Sequence, residues 1–125
     1  MQTKPQNYED LLVWQNGIEL AKLIYQITSR FPSEEKFGLV SQMRRAAISI
    51  PSNIAEGQAR HTTGEFIQFI SHAEGSVAEL NTQLILANEL YFCLTADVEP
   101  ASKLMENLRR MLDGLRRKLE TRSSV

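Results

Sequence analysis

Apolar residues recur at steps of three and four in four stretches of the chain, set apart by prolines and by Gly and Ser/Thr clusters. That spacing follows the ~3.6-residue turn of an α-helix. No stretch keeps a period of two, and no Asn-Gly or Asp-Gly turn joins two β-rich runs. The pattern predicts an all-α fold without a sheet.

The first stretch spans about residues 8–29. Trp14, Ile18, Ala21 and Tyr25 form one apolar stripe, and Val13, Leu20, Ile24 and Ile27 form a second beside it. Gln15, Glu19, Lys22 and Gln26 leave only a narrow polar strip. A helix so apolar around its circumference must be covered on more than one side. Arg30-Phe31-Pro32 ends it, because proline disfavours a helical residue before it. Ser33-Glu34-Glu35-Lys36 opens the second stretch, with Ser33 the expected cap and the carboxylates near the positive helix end. Leu39, Met43, Ala46, Ile50 and Ile54 keep one phase across Pro51. That continuity predicts a kink within one long helix rather than a break, although an interior proline costs ~3 kcal/mol.

Thr62 to Glu65 forms a capping box that starts the third stretch. Phe66, Phe69, Ala73, Val77, Leu80, Leu84, Ala87 and Tyr91 follow in strong periodicity, with Ile67, Ala78 and Ile85 as a smaller second seam. The fourth stretch, about residues 100–121, carries Leu104, Leu108, Met111, Leu115 and Leu119 on one stripe widened by Met105 and Leu112. Four helices with short joins imply an antiparallel up-down-up-down four-helix bundle. Its expected central core is Trp14, Ile18, Tyr25, Met43, Ile50, Phe66, Phe69, Ala73, Leu80, Leu84, Leu108, Met111 and Leu115.

Composition fits this picture. A chain of 125 residues suits one domain spanning residues 1–125, and 42% hydrophobic with 23% charged residues is a globular mixture. The polar start, Met1 to Asn7, lacks a signal-peptide core, and the apolar run from Leu84 to Leu94 is too short and too polar for a membrane span. The expectation is a cytoplasmic protein without membrane attachment. Cys93, the single cysteine, lies in an apolar run and reads as a buried structural thiol. A net charge of −1 is not that of a dedicated nucleic-acid binder. Positive charge nevertheless gathers in the last helix.

Three blocks carry a family resemblance: Tyr8-Glu9-Asp10-Leu11-Leu12-Val13-Trp14-Gln15, Phe31-Pro32-Ser33-Glu34-Glu35-Lys36-Phe37-Gly38-Leu39, and the run Gln42-Met43-Arg44-Arg45 through Ile54-Ala55-Glu56-Gly57. With Gly75-Ser76 and the run Glu79 to Leu84, they resemble the four-helix-bundle proteins encoded in intervening sequences of bacterial 23S ribosomal RNA genes. The resemblance implies a homopentamer in bacterial cytoplasm and says little about activity. A related branch serves as accessory subunits of retroelement reverse transcriptases, and its implied nucleic-acid binding through basic surfaces reaches this chain by analogy.

The residues that could carry function are mainly polar stripes. Gln42, Arg45, Ser49, Asn53, Glu56 and Arg60 fall within one ~80° sector of a continuous second helix. Glu65, Gln68, His72, Ser76, Glu79 and Gln83 gather likewise on the third. Ser49, Asn53 and Ser76 are small enough for close helix approach or hydrogen bonds to a neighbour. Arg44 points ~100° from Arg45, nearer Ile48 and Ala55, and either guanidinium suits a carboxylate or a phosphate. An Arg–Glu pair between subunits is the expected use. On the last helix, Glu106–Arg110, Asp113–Arg117 and Arg116–Glu120 pair at i,i+4 and leave Lys103, Arg109, Lys118 and Arg122 for other contacts.

Enzyme signatures are weak. His61 and Glu65 alone make no metal site, Ser33-x-x-Lys36 lacks companion motifs, and no Walker, Rossmann or Gly-x-Ser-x-Gly pattern occurs. The expectation is a non-enzymatic homo-oligomeric scaffold without cofactor or metal, a pentamer by resemblance. Its alternative is an accessory protein that binds RNA or DNA through basic surfaces.

Overall fold

The computed structural model describes residues 8–123. Four helices form a bundle: α1 (Leu12–Thr28), α2 (Leu39–Gln58), α3 (Thr63–Glu89) and α4 (Thr95–Ser123). No strand occurs among the described residues. Each helix packs directly on its two neighbours in the order α1, α2, α3, α4 and back to α1, so α1 and α3 occupy opposite corners.

Several boundaries differ from the pattern of the sequence. Tyr8–Asp10 is a separate 3₁₀ turn, and extended Leu11 divides it from α1. Ser33 does not cap α2, because Ser33–Glu35 is another 3₁₀ turn. The Glu35 carboxylate instead accepts the Leu39 N–H at 3.3 Å, placing an anion at the positive end of α2. The fourth helix begins at Thr95 and runs through Pro100. Thr62 accepts the Glu65 N–H at 3.2 Å, but the Glu65 carboxylate returns to the Thr62 hydroxyl rather than to its backbone.

Pro51 lies inside a continuous α2. Its ring sits beneath α1 at Gly17, where an added Cβ would lie 3.3 Å from Pro51 Cβ. Gly57 is tighter still: a Cβ there would come within 2.7 Å of Phe69 Cβ and 2.8 Å of a Phe66 ring carbon. Glycine therefore sets how closely the end of α2 approaches the start of α3.

The core is built by Leu20 and Ile24 of α1, Met43, Ile50 and Ile54 of α2, Ile70, Leu80 and Leu84 of α3, and Leu108 and Leu112 of α4. Ala73 is also buried. Trp14, Ile18, Phe66, Phe69, Met111 and Leu115 are only partly buried, and Tyr25 is 42% exposed. The stripe of α1 that enters the core is thus the one through Leu20 and Ile24. On α3, Ile67 packs against the core edge, whereas Ala78 and Ile85 face outward.

At the end of α3, Tyr91 adopts a left-handed conformation with φ 62°. Its N–H reaches the Asn88 carbonyl at 3.1 Å, and Phe92 N–H reaches the Ala87 carbonyl at 2.9 Å. These two bonds form the Schellman stop that satisfies terminal carbonyls. They also aim Phe92 at Phe31, with ring centroids 5.6 Å apart. Cys93 beside it is partly rather than fully buried. Burial, followed by the Asp97 carboxylate, pushes its thiol pKa up, which favours the unreactive protonated form.

Candidate functional site

Three surfaces collect the polar residues singled out by the sequence. The first is the α2/α3 seam. Ser49 and Ser76 hydroxyls lie 2.6 Å apart, and Ser49 Oγ is 2.7 Å from the Ala46 carbonyl. One hydroxyl proton serves one acceptor, so both are satisfied when Ser76 donates to Ser49 and Ser49 donates to Ala46. Asn53 donates to the Ser49 carbonyl at 2.7 Å. These three small side chains therefore bond within the chain, while Gln42, Arg45 and Glu56 on the same stripe are exposed. Arg60 lies 4.0 Å from Glu56 and stacks over Phe69, 4.7 Å from its centroid. Glu79 accepts from Gln83 Nε2 at 3.3 Å, leaving buried Gln83 Oε1 without a hydrogen-bond partner.

Helix α4 presents the second surface. Its expected pairs Glu106–Arg110, Asp113–Arg117 and Arg116–Glu120 are formed. Arg109 is not left over, because it binds Glu106 at 2.7 Å. That hydrogen bond is also the first cause holding the Glu106 pKa below its ordinary value. Arg116 does more than balance its own helix: it meets Glu74 of α3 at 2.9 Å as well as Asp113 at 2.6 Å. Lys103, Lys118 and Arg122 are exposed and form no ion pair among the described residues. Lys103 and Lys118 stand fifteen positions apart, ~22 Å along a helix axis, so this surface does not concentrate them.

The third surface is the outer side of α1 and α2, and it is mainly apolar. Trp14, Ile18 and Ala21 of α1 face Ile48 and Ala55 of α2 across a groove of about 280 Å³. Ile48 also borders a second groove of about 620 Å³ toward the start of α2, where Tyr25 and Phe37 supply aromatic walls. Lys36, Arg44 and Arg45 line this end, and among the described residues no carboxylate does. Arg44 is held in place by donating to Thr28 Oγ1 at 2.9 Å and to the Tyr25 carbonyl at 3.3 Å. Its guanidinium also covers the Tyr25 ring at 4.3 Å. Arg45 is exposed and makes no ion pair among the described residues.

Arg44 and Arg45 are thus brought to one groove, while Arg60 and the α4 cations lie elsewhere. Sequence reasoning missed Lys36 and Phe37 as members of this surface. Their signal was an aromatic residue beside Gly38 in a connection between helices, where no helical phase provides cover. Among the described residues no group of three or more His, Cys, Asp or Glu side chains is placed to hold a metal, and no helix is long and apolar enough to cross a membrane.

The profile of the 23S rRNA-intervening sequence protein family matches residues 9–114. A search of curated proteins finds no match. The matched segment contains all of α1, α2 and α3 and most of α4.

Proposed function

The chain belongs to the 23S rRNA-intervening sequence protein family, and from that premise we propose that it acts as a homo-oligomeric scaffold, by assembly rather than catalysis. The observation that carries this reading is the open apolar face of α1 and α2, from Trp14 and Ile18 through Ile48 to Tyr25 and Phe37. Phe37 is 89% exposed, and such contiguous apolar surface marks an interaction site more often than a solvated face.

Within each subunit the helices run antiparallel in up-down-up-down order. Contacts supporting this pair 28 with 44 and 17 with 51, 49 with 76 and 57 with 69, and 16 with 111 and 30 with 97. As one number rises its partner falls. A closed ring of five, in the cytoplasm, is the form implied by the family resemblance. A standard contact of ~800 Å² per partner provides ample gross apolar driving force before the costs of association.

Light scattering at micromolar concentration tests this reading. The expected mass is about five times the 14.2 kDa chain; the mass of one chain would reject it. Nucleic-acid binding is the second reading, supported by exposed Arg45 in a groove that no carboxylate lines among the described residues. Salt-dependent retention on RNA or DNA would support it, since phosphate contacts release counterions.

A further inference from the structure

The charges of the helices differ in a way that selects a partner for the basic groove. Helix α3 contains four glutamates and neither lysine nor arginine. Glu74 is taken by Arg116, and Glu65 turns back to Thr62. Among the described residues Glu79 meets only the Gln83 amide, and Glu89 forms no ion pair. Glu79, Thr82, Ile85, Leu86 and Glu89 fall within one ~120° sector of α3. Ile85 is 54% exposed in this sector. The result is an apolar ridge with a carboxylate at either end.

The groove on α1 and α2 has the opposite character: Tyr25, Phe37 and Ile48 make it apolar, while Lys36, Arg44 and Arg45 make it positive. We propose that this groove receives the α3 ridge of a second copy of the chain, with Ile85 and Leu86 against its apolar walls, Glu79 facing Arg45 and Glu89 facing Lys36. This assignment rests on the assembly reading and specifies which surfaces meet. Helix α4 is the poorer complement, since seven Lys and Arg outnumber its five Asp and Glu, and Glu106, Asp113 and Glu120 engage its own arginines.

The register is also compatible with a ring. Ser49 against Ser76 and Gly57 against Phe69 place the start of α2 and the end of α3 toward the same end of the subunit. Copies standing side by side therefore match basic groove to acidic ridge without inversion. The contact joins two different surfaces, so repetition can close a ring.

Two linked experiments test the assignment. In a Cys93→Ser background, Phe37→Cys and Leu86→Cys, at matching heights of groove and ridge, are introduced singly and together and then oxidised. Only the double variant should form covalent multimers of the 14.2 kDa chain. In parallel, Arg45→Glu and Glu79→Arg should each lower the solution mass, and the two reversals in one chain should restore it. Helical circular dichroism of every variant checks that these exposed substitutions leave the bundle folded.

A wild-type mass of one chain overturns the assembly reading and this assignment with it. A wild-type oligomer unaffected by either reversal, without the double-cysteine product, overturns the assignment alone. Cross-linking by either single-cysteine variant points to a symmetric self-contact and also overturns it. Unchanged mass in Arg45→Glu, accompanied by loss of RNA or DNA retention, assigns the groove to nucleic acid instead.

Discussion

Helix α1 carries two stripes of nearly equal apolar content with different fates. Val13, Leu20, Ile24 and Ile27 are buried in the core, whereas Trp14, Ile18 and Ala21 border one groove open to solvent and Tyr25 borders the second. Hydrophobicity identifies both as surfaces that favour cover. It does not distinguish cover within the chain from cover by another molecule. The difference comes from neighbours: Leu20 and Ile24 lie in the buried core on the side of α1 that packs on α2 and α4, while the second stripe faces one flank of α2 and then water.

The largest effect that can break this comparison is in the core. Ile24→Ala should destabilise the chain by ~2–5 kcal/mol in denaturant unfolding, as should Leu80→Ala, because each leaves a cavity among fully buried side chains. Ile18→Ala should have a distinctly smaller effect at concentrations where the chain is monomeric. Equal losses at Ile18 and Ile24 would mean that the two stripes are not distinct environments.

Glycines sharpen the same contrast between closed and open surfaces. Gly57→Ala should cost ~1–3 kcal/mol, since its new methyl would meet Phe66 and Phe69 within the packed α2/α3 seam. Gly114→Ala, with nothing within 4 Å of the added Cβ, should instead stabilise α4 by ~0.5–1 kcal/mol. Opposite signs in denaturant unfolding are the expected result.

A smaller loss is expected inside the polar seam. Ser49→Ala removes its bond to Ser76 and should cost ~1 kcal/mol. Retention of wild-type stability would assign Ser49 to the surface rather than to the packing of α2 on α3. The smallest effect belongs to exposed α4. Arg109 lowers the folded pKa of Glu106, so its contribution is present above the ordinary glutamate range and fades as pH falls through the lower folded value. Glu106→Gln should slightly flatten that acid-side loss in a pH series of unfolding midpoints.

The helical pattern made the fold class and the continuity of α2 through Pro51 legible, because the phase of Met43, Ile50 and Ile54 persists across it. It misplaced the start of α4 because Pro100 reads as a helix opener, while the observed first turn begins at Thr95 with Asp97 inside it. Periodicity places Trp14 and Tyr25 in the core because it records hydrophobicity and not what lies opposite. The basic groove was only half visible: Arg44 and Arg45 are adjacent in sequence, but Lys36 and Phe37 join them only through the path of the α1–α2 connection. Counting at i,i+4 gives Glu106 to Arg110 and leaves Arg109 over, whereas one carboxylate reaches both arginines.

The left-handed Tyr91 links the stop of α3 to heat tolerance. Its ring is 93% exposed, and the backbone bonds on either side hold the turn without help from the phenol. A β-carbon at this φ costs ~1 kcal/mol that glycine would not incur, partly offset by glycine's greater freedom in the unfolded chain. Tyr91→Gly should therefore keep Phe92 against Phe31 and shift the melting midpoint upward by up to a few degrees. The bundle thus forgoes a margin of thermal resistance at a single turn residue, separate from any gain its core or its assembly could supply.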